Sequence, residues 1–109
     1  MDDLEMVCFE IISHSGQAKS CVMEAVSKSR ESGKKEEIDD LINTARQELK
    51  EASTQHLKIL SKFAETGKNL VNPLYVHAED QMMGAESFLD FAIELIETNV
   101  KLAELQNKI

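Results

Sequence analysis

The stretch Thr66-Gly67-Lys68-Asn69-Leu70-Val71-Asn72-Pro73, read as TGKNLVNP, separates two long helical patterns and sets the architecture of the chain. Thr66-Gly67 stops the pattern before it, because glycine takes the left-handed conformation after a last helical turn at least cost. Lys68 to Val71 then make a short link. Asn72-Pro73 starts the next pattern: asparagine is a preferred N-cap, and proline suits the first helical position, where a backbone N–H has no helical partner.

Before this break, Ile38, Leu41, Ile42, Ala45, Leu49, Ala52, His56, Ile59, Leu60 and Phe63 recur at helical spacing. Nearer the start, Leu4, Val7, Cys8, Ile11, Ile12, Ser15, Ala18, Val22, Ala25 and Val26 do the same. Asp2 or Asp3 is the expected N-cap of that first helix, and Ser32-Gly33 its stop, with Gly33 left-handed. The spacing predicts helices over about 4–31, 35–66 and 73–107. The fold class is therefore all-α, an antiparallel three-helix bundle filling 1–109 as one domain.

The third helix is apolar over more than one stripe, through Phe88, Leu89, Phe91, Ala92, Ile93, Leu95, Ile96, Val100, Leu102 and Leu105. A helix apolar over more than half its circumference has two neighbouring surfaces to satisfy. Helices of about 30 residues make a thin bundle ~45 Å long, which buries little alone. Oligomerisation through the third helix is expected, with the number of chains left open by the pattern.

With 109 residues, 42% hydrophobic and 29% charged content, one Pro and four Gly, the chain is an ordered helical domain. Aromatic content of 5% and no Trp leave the core to aliphatic and Met side chains. A net charge of −8 argues against a nucleic-acid surface, which needs clustered Lys and Arg. No apolar run reaches the length of a membrane span, and the acidic start Met1-Asp2-Asp3-Leu4-Glu5 predicts no signal peptide and a cytoplasmic location. Cys8 and Cys21 share one predicted helix that would hold them ~20 Å apart, so reduced thiols are expected.

Leu74-Tyr75-Val76-His77-Ala78-Glu79-Asp80-Gln81-Met82-Met83 places His77 one turn inside the third helix. Asp80 and Gln81, three and four residues on, share its face. The helix start adds backbone N–H groups and the positive end of the dipole, which favour a nearby anion. A neutral imidazole is a good nucleophile towards phosphorus, so a phosphorylated His77 suits the site, as does a catalytic base. The plain alternative is a surface or structural histidine.

Asp80 reads simply as an acid near a helix start. If the third helix lines a symmetry axis, copies of Asp80 meet there and call for a hard cation, Mg²⁺ foremost. His56 lies on the apolar face of the second helix and His14 beside that of the first, where partly buried structural histidines are the common case. No Glu-x-x-His di-iron pair, glycine-rich phosphate loop or recognisable nucleophile motif occurs.

Two segments carry a resemblance to a known family. Ile11-Ile12-Ser13-His14-Ser15-Gly16-Gln17-Ala18-Lys19-Ser20 resembles an apolar pair followed by Gly-Gln-Ala-Arg-Ser, and Val76-His77-Ala78-Glu79-Asp80-Gln81-Met82-Met83 resembles His-x-Gln-Asp-His-Leu-Met. Both patterns belong to the lactose/cellobiose class of IIA components of the bacterial sugar phosphotransferase system, and the likeness runs from about Leu4 to Lys101. It implies that His77 carries a phosphoryl group on Nε2, taken from the phosphocarrier HPr and passed to a cysteine of a IIB component. The sugar would be of the lactose, cellobiose or chitobiose type. The resemblance also implies a homotrimer of nine helices in which Asp80 of each chain faces one axial Mg²⁺.

The departures fall around the site. The family's second histidine is Gln81 here, and its preferred glutamine is Glu79. On the second helix, Glu-Ala-His-x-x-Gln-Thr appears as Glu51-Ala52-Ser53-Thr54-Gln55-His56-Leu57. Gln81 and His56 are thus the expected stabilisers of the phosphoryl group, with His56 supplying charge that an amide lacks. The rival expectation is a helical interaction module that keeps the bundle and has lost the relay; a metal-binding enzyme ranks below it.

Overall fold

The structure is a computed structural model, and it describes residues 3–31, 33–69 and 72–108. Three helices account for nearly all of them: α1 (Asp3–Arg30), α2 (Lys35–Thr66) and α3 (Pro73–Asn107). Asp3 already lies within α1 and so does not cap it, while Asp2 lies outside the described residues.

The two interhelical breaks close by different chemistry. Gly67 has φ 67°, and its N–H donates to Phe63 O at 2.8 Å, the left-handed cap expected there. Gly33 does not take a positive φ, contrary to the sequence expectation. Its N–H donates to Lys28 O at 2.7 Å, and a Cβ would sit 2.8 Å from that oxygen and 2.9 Å from Lys28 Cβ. Glycine is required at 33 for a close approach to the end of α1. Ser32 lies outside the described residues.

The contacts fix an up-down-up arrangement. Lys28 pairs with Glu37 at 3.6 Å at one end of the α1–α2 pair, and His14 meets Glu48 further along. α3 runs in the same direction as α1: Tyr75 and Ala78 join Cys8 and Ile11, whereas Ala85, Leu89 and Ala92 join Val22 and Val26. Asn99 then donates to Ser29 Oγ at 2.9 Å, and Ser29 donates to Val26 O at 2.7 Å, which satisfies a buried hydroxyl. α1 packs on both partners, while α2 and α3 meet over much less surface.

The long axis measures 63 Å, more than helices of equal length in register would give. Asn99 already sits beside Ser29 near the end of α1, so the last turns of α3 extend beyond it. The buried hydrophobic residues include Ala18, Ala25, Ala45, Ala52, Ala78, Ala85 and Ala92, small side chains that let the helices approach closely. Much of the predicted apolar surface of α3 faces outward instead, with Phe91 77% exposed and Leu95, Leu102 and Leu105 exposed. Cys8 is buried and Cys21 half-buried, and no disulfide links them. Among the described residues no helix is long and apolar enough to cross a membrane.

Candidate functional site

The start of α3 is built by Asn72, whose extended backbone (φ −149°, ψ 172°) lets its side chain turn back over the first turn. Its Oδ1 accepts from the Tyr75 N–H at 2.9 Å and its carbonyl from the Val76 N–H at 3.0 Å. Pro73 has no N–H to offer. The helix start therefore has fewer open donors than expected, and the dipole is its main electrostatic contribution.

His77 follows within this capped turn and is exposed, as is Asp80; Gln81 is half-buried. The side chain of His77 makes no hydrogen bond or ion pair with another described residue. In the single chain its ring is open to an incoming reactant.

Behind His77 lies a cluster that the sequence reading did not assemble. The Tyr75 hydroxyl donates to Glu79 Oε2 at 2.9 Å, one helical turn on. His56 on α2 brings its Nε2 to 3.1 Å from the Tyr75 oxygen and 3.3 Å from Glu79 Oε2. An ionised carboxylate only accepts, so His56 Nε2 carries the hydrogen and shares it between the two oxygens. The rings of His56 and Tyr75 stack with centroids 5.8 Å apart at 23°. Burial foremost, then the bond to Glu79 and its charge, push the Tyr75 phenol up to about 12.

His56 thus turns to Tyr75 and Glu79, and no hydrogen bond joins it to His77 or Gln81 in the chain. At about 100° per residue, His77 lies about 160° around α3 from both Tyr75 and Glu79. The signal that could have found the cluster is the i, i+4 pair of a tyrosine and an acid, facing a polar residue on the apolar stripe of α2.

His14 makes a second interhelical link. Its Nδ1 meets Glu48 Oε2 at 2.5 Å and its Nε2 lies 3.4 Å from Glu10 Oε2. The hydrogen bond to Glu48 raises its pKa above 6.5, with the charges of Glu48, Glu10 and Glu51 adding to it against the cost of burial.

No group of three or more His, Cys, Asp or Glu side chains is arranged to hold a metal ion among the described residues. Asp80 is one carboxylate on an open surface. Within one chain the residues do not fit a cation.

Fold and site together define a helical bundle that displays an unpaired histidine one turn inside a capped helix. The family profile of the PTS system, lactose/cellobiose-specific IIA subunit, matches residues 6–99, and the chain belongs to that family. It is 33% identical over 103 residues to the lichenan-specific phosphotransferase enzyme IIA component of Bacillus subtilis, covering 94% of this chain and 93% of that one. It is 31% identical to the N,N'-diacetylchitobiose-specific EIIA component of Escherichia coli K12, covering 93% and 86%. The crystal structure of the cellobiose-specific enzyme IIA of Bacillus anthracis superposes with a TM-score of 0.88 at 29% identity, covering 95% of this chain and 94% of that one.

Proposed function

We propose that this chain is a cytoplasmic phosphoryl carrier. The observation that carries the reading is the exposed, unpaired ring of His77 at the capped start of α3, in a chain of the IIA family. His77 Nε2 attacks the phosphorus of phosphorylated HPr as the donor's P–N bond breaks. A cysteine sulfur of the IIB component then takes the phosphoryl group and restores the free ring. Such transfer depends on alignment and on stabilising charge at the equatorial oxygens. The α3 dipole and the Gln81 amide, on the His77 face, supply that stabilisation. The names of the relatives span lichenan, cellobiose, lactose and diacetylchitobiose, which supports uptake of a sugar of the lactose, cellobiose or chitobiose type.

The working form is a homotrimer packed through α3. At about 100° per residue, the exposed Val76, Met83, Phe91, Leu95, Leu102 and Leu105 fall within a stripe about 120° wide. Asp80 lies in the middle of that stripe, which Ser87, Glu94 and Thr98 also share, and His77 lies at its edge, where the ring borders the proposed interface. Three copies would gather three Asp80 carboxylates, a donor set suited to Mg²⁺ that would hold their charge in place. No step of the transfer runs through that ion.

The test is incubation with enzyme I, HPr and phosphoenolpyruvate, followed by intact mass, with His77→Ala alongside. One acid-labile phosphoryl group per chain, absent from the variant, is the expected result. No gain from an HPr of the same organism, shown to be active, would overturn the carrier and leave an interaction module.

A further inference from the structure

The cluster behind His77 has an arrangement that a packing role alone does not require. Tyr75 stands two residues before His77 and Glu79 two residues after it. Both are tied to one atom on another helix, His56 Nε2, and to each other. The turn of α3 that bears His77 is therefore gripped from its far side at both flanks. This grip falls where it matters, because α2 and α3 otherwise share little surface.

We propose that His56, Tyr75 and Glu79 form a clasp that positions His77, so that His56 is a positioning residue and does not touch the phosphoryl group. The inference rests on the carrier reading above. The clasp also holds the Glu79 carboxylate on the side of α3 away from His77, where it does not meet an incoming dianion. What the clasp needs from each position is simple: an N–H at 56, a hydroxyl at 75 and an acceptor oxygen at 79. It needs no positive charge at 56.

That requirement separates the clasp from direct stabilisation by a cationic ring. His56→Gln keeps an N–H and loses the ring, whereas His56→Leu keeps bulk and loses the donor. Tyr75→Phe keeps the buried ring and removes only the hydroxyl, so it retains the packing of the site. Under the clasp, the rate of phosphoryl gain at saturating phospho-HPr stays within about twofold of wild type in His56→Gln. It drops about tenfold in His56→Leu and Tyr75→Phe, with the half-saturating donor concentration little changed, since misalignment acts on the transition state.

His56→Gln as slow as His56→Leu would overturn the clasp in favour of a direct role for the ring. Full rates in folded His56→Leu and Tyr75→Phe would overturn it outright. A second readout needs no phosphoryl transfer. Tyr75 is the single tyrosine and there is no Trp, so intrinsic emission reports this phenol alone. A phenol hydrogen-bonded to a carboxylate emits weakly, and Glu79→Leu should brighten the protein about twofold; unchanged emission would show that the clasp does not form in solution. Brightening together with a wild-type chain that takes no phosphoryl group would leave the cluster standing, and would sink the carrier reading and the positioning role built on it.

Discussion

His14 shows how one pair of side chains ties stability to pH. Its bond to Glu48, with the nearby charges of Glu10 and Glu51, holds the imidazolium more tightly in the folded chain than in the unfolded one. A raised folded pKa means that this stabilisation is fully present below the unfolded value near 6.5 and is lost as pH rises through the folded value. Urea unfolding should therefore show the wild-type chain losing stability as pH rises above about 6.5, and His14→Gln should flatten that dependence. Equal slopes in the two proteins would remove His14 as the cause. Periodicity placed both His14 and His56 correctly beside or on apolar faces. Their partners were not legible, because Glu48 lies 34 residues from His14 and Tyr75 lies 19 from His56. Only the register of packed helices brings such pairs together.

Helix ends were more readable than side-chain partners, since caps are local. Asn72-Pro73 and Gly67 carry their chemistry within a few residues, and the structure reproduces both. Gly33 was misread because its role is steric: the chain folds back on Lys28, and no local dihedral preference announces that approach. The difference is measurable with asparagine, which tolerates the left-handed region far better than other residues do. Gly67→Asn should cost only a few tenths of a kcal/mol, whereas Gly67→Ala should cost ~1 kcal/mol. At Gly33, where the added Cβ itself is the obstacle, Asn and Ala should be equally damaging, by roughly 1–3 kcal/mol. Chemical denaturation of the four variants checks this, and a tolerant Gly33→Asn would contradict the steric account.

The whole bundle explains why its outer surface is unfinished. A core lined by so many alanines brings three helices close but removes modest apolar area from water per residue. Of the larger side chains of α3, read from the sequence as serving two surfaces, Leu89 is buried and Phe88, Ile93 and Ile96 pack against the core, whereas Phe91, Leu95, Leu102 and Leu105 turn outward along one stripe. The pattern made the excess legible; it could not say which residues face α1 and which face outward, because that depends on how α3 is rotated in the packed bundle. The proposed trimer, closing on this stripe, would make folding and assembly one equilibrium, and the melting temperature would then rise with protein concentration. Phe91→Asp places a charge at the most exposed apolar position of the stripe without touching the core of the single chain. Sedimentation should then show a trimer for wild type, and monomers at the same concentration for the variant. The variant's melting temperature should lose its concentration dependence. A Phe91→Asp chain that still sediments as a trimer would place the interface elsewhere. It would also separate Asp80, which shares this stripe, from any axial cation.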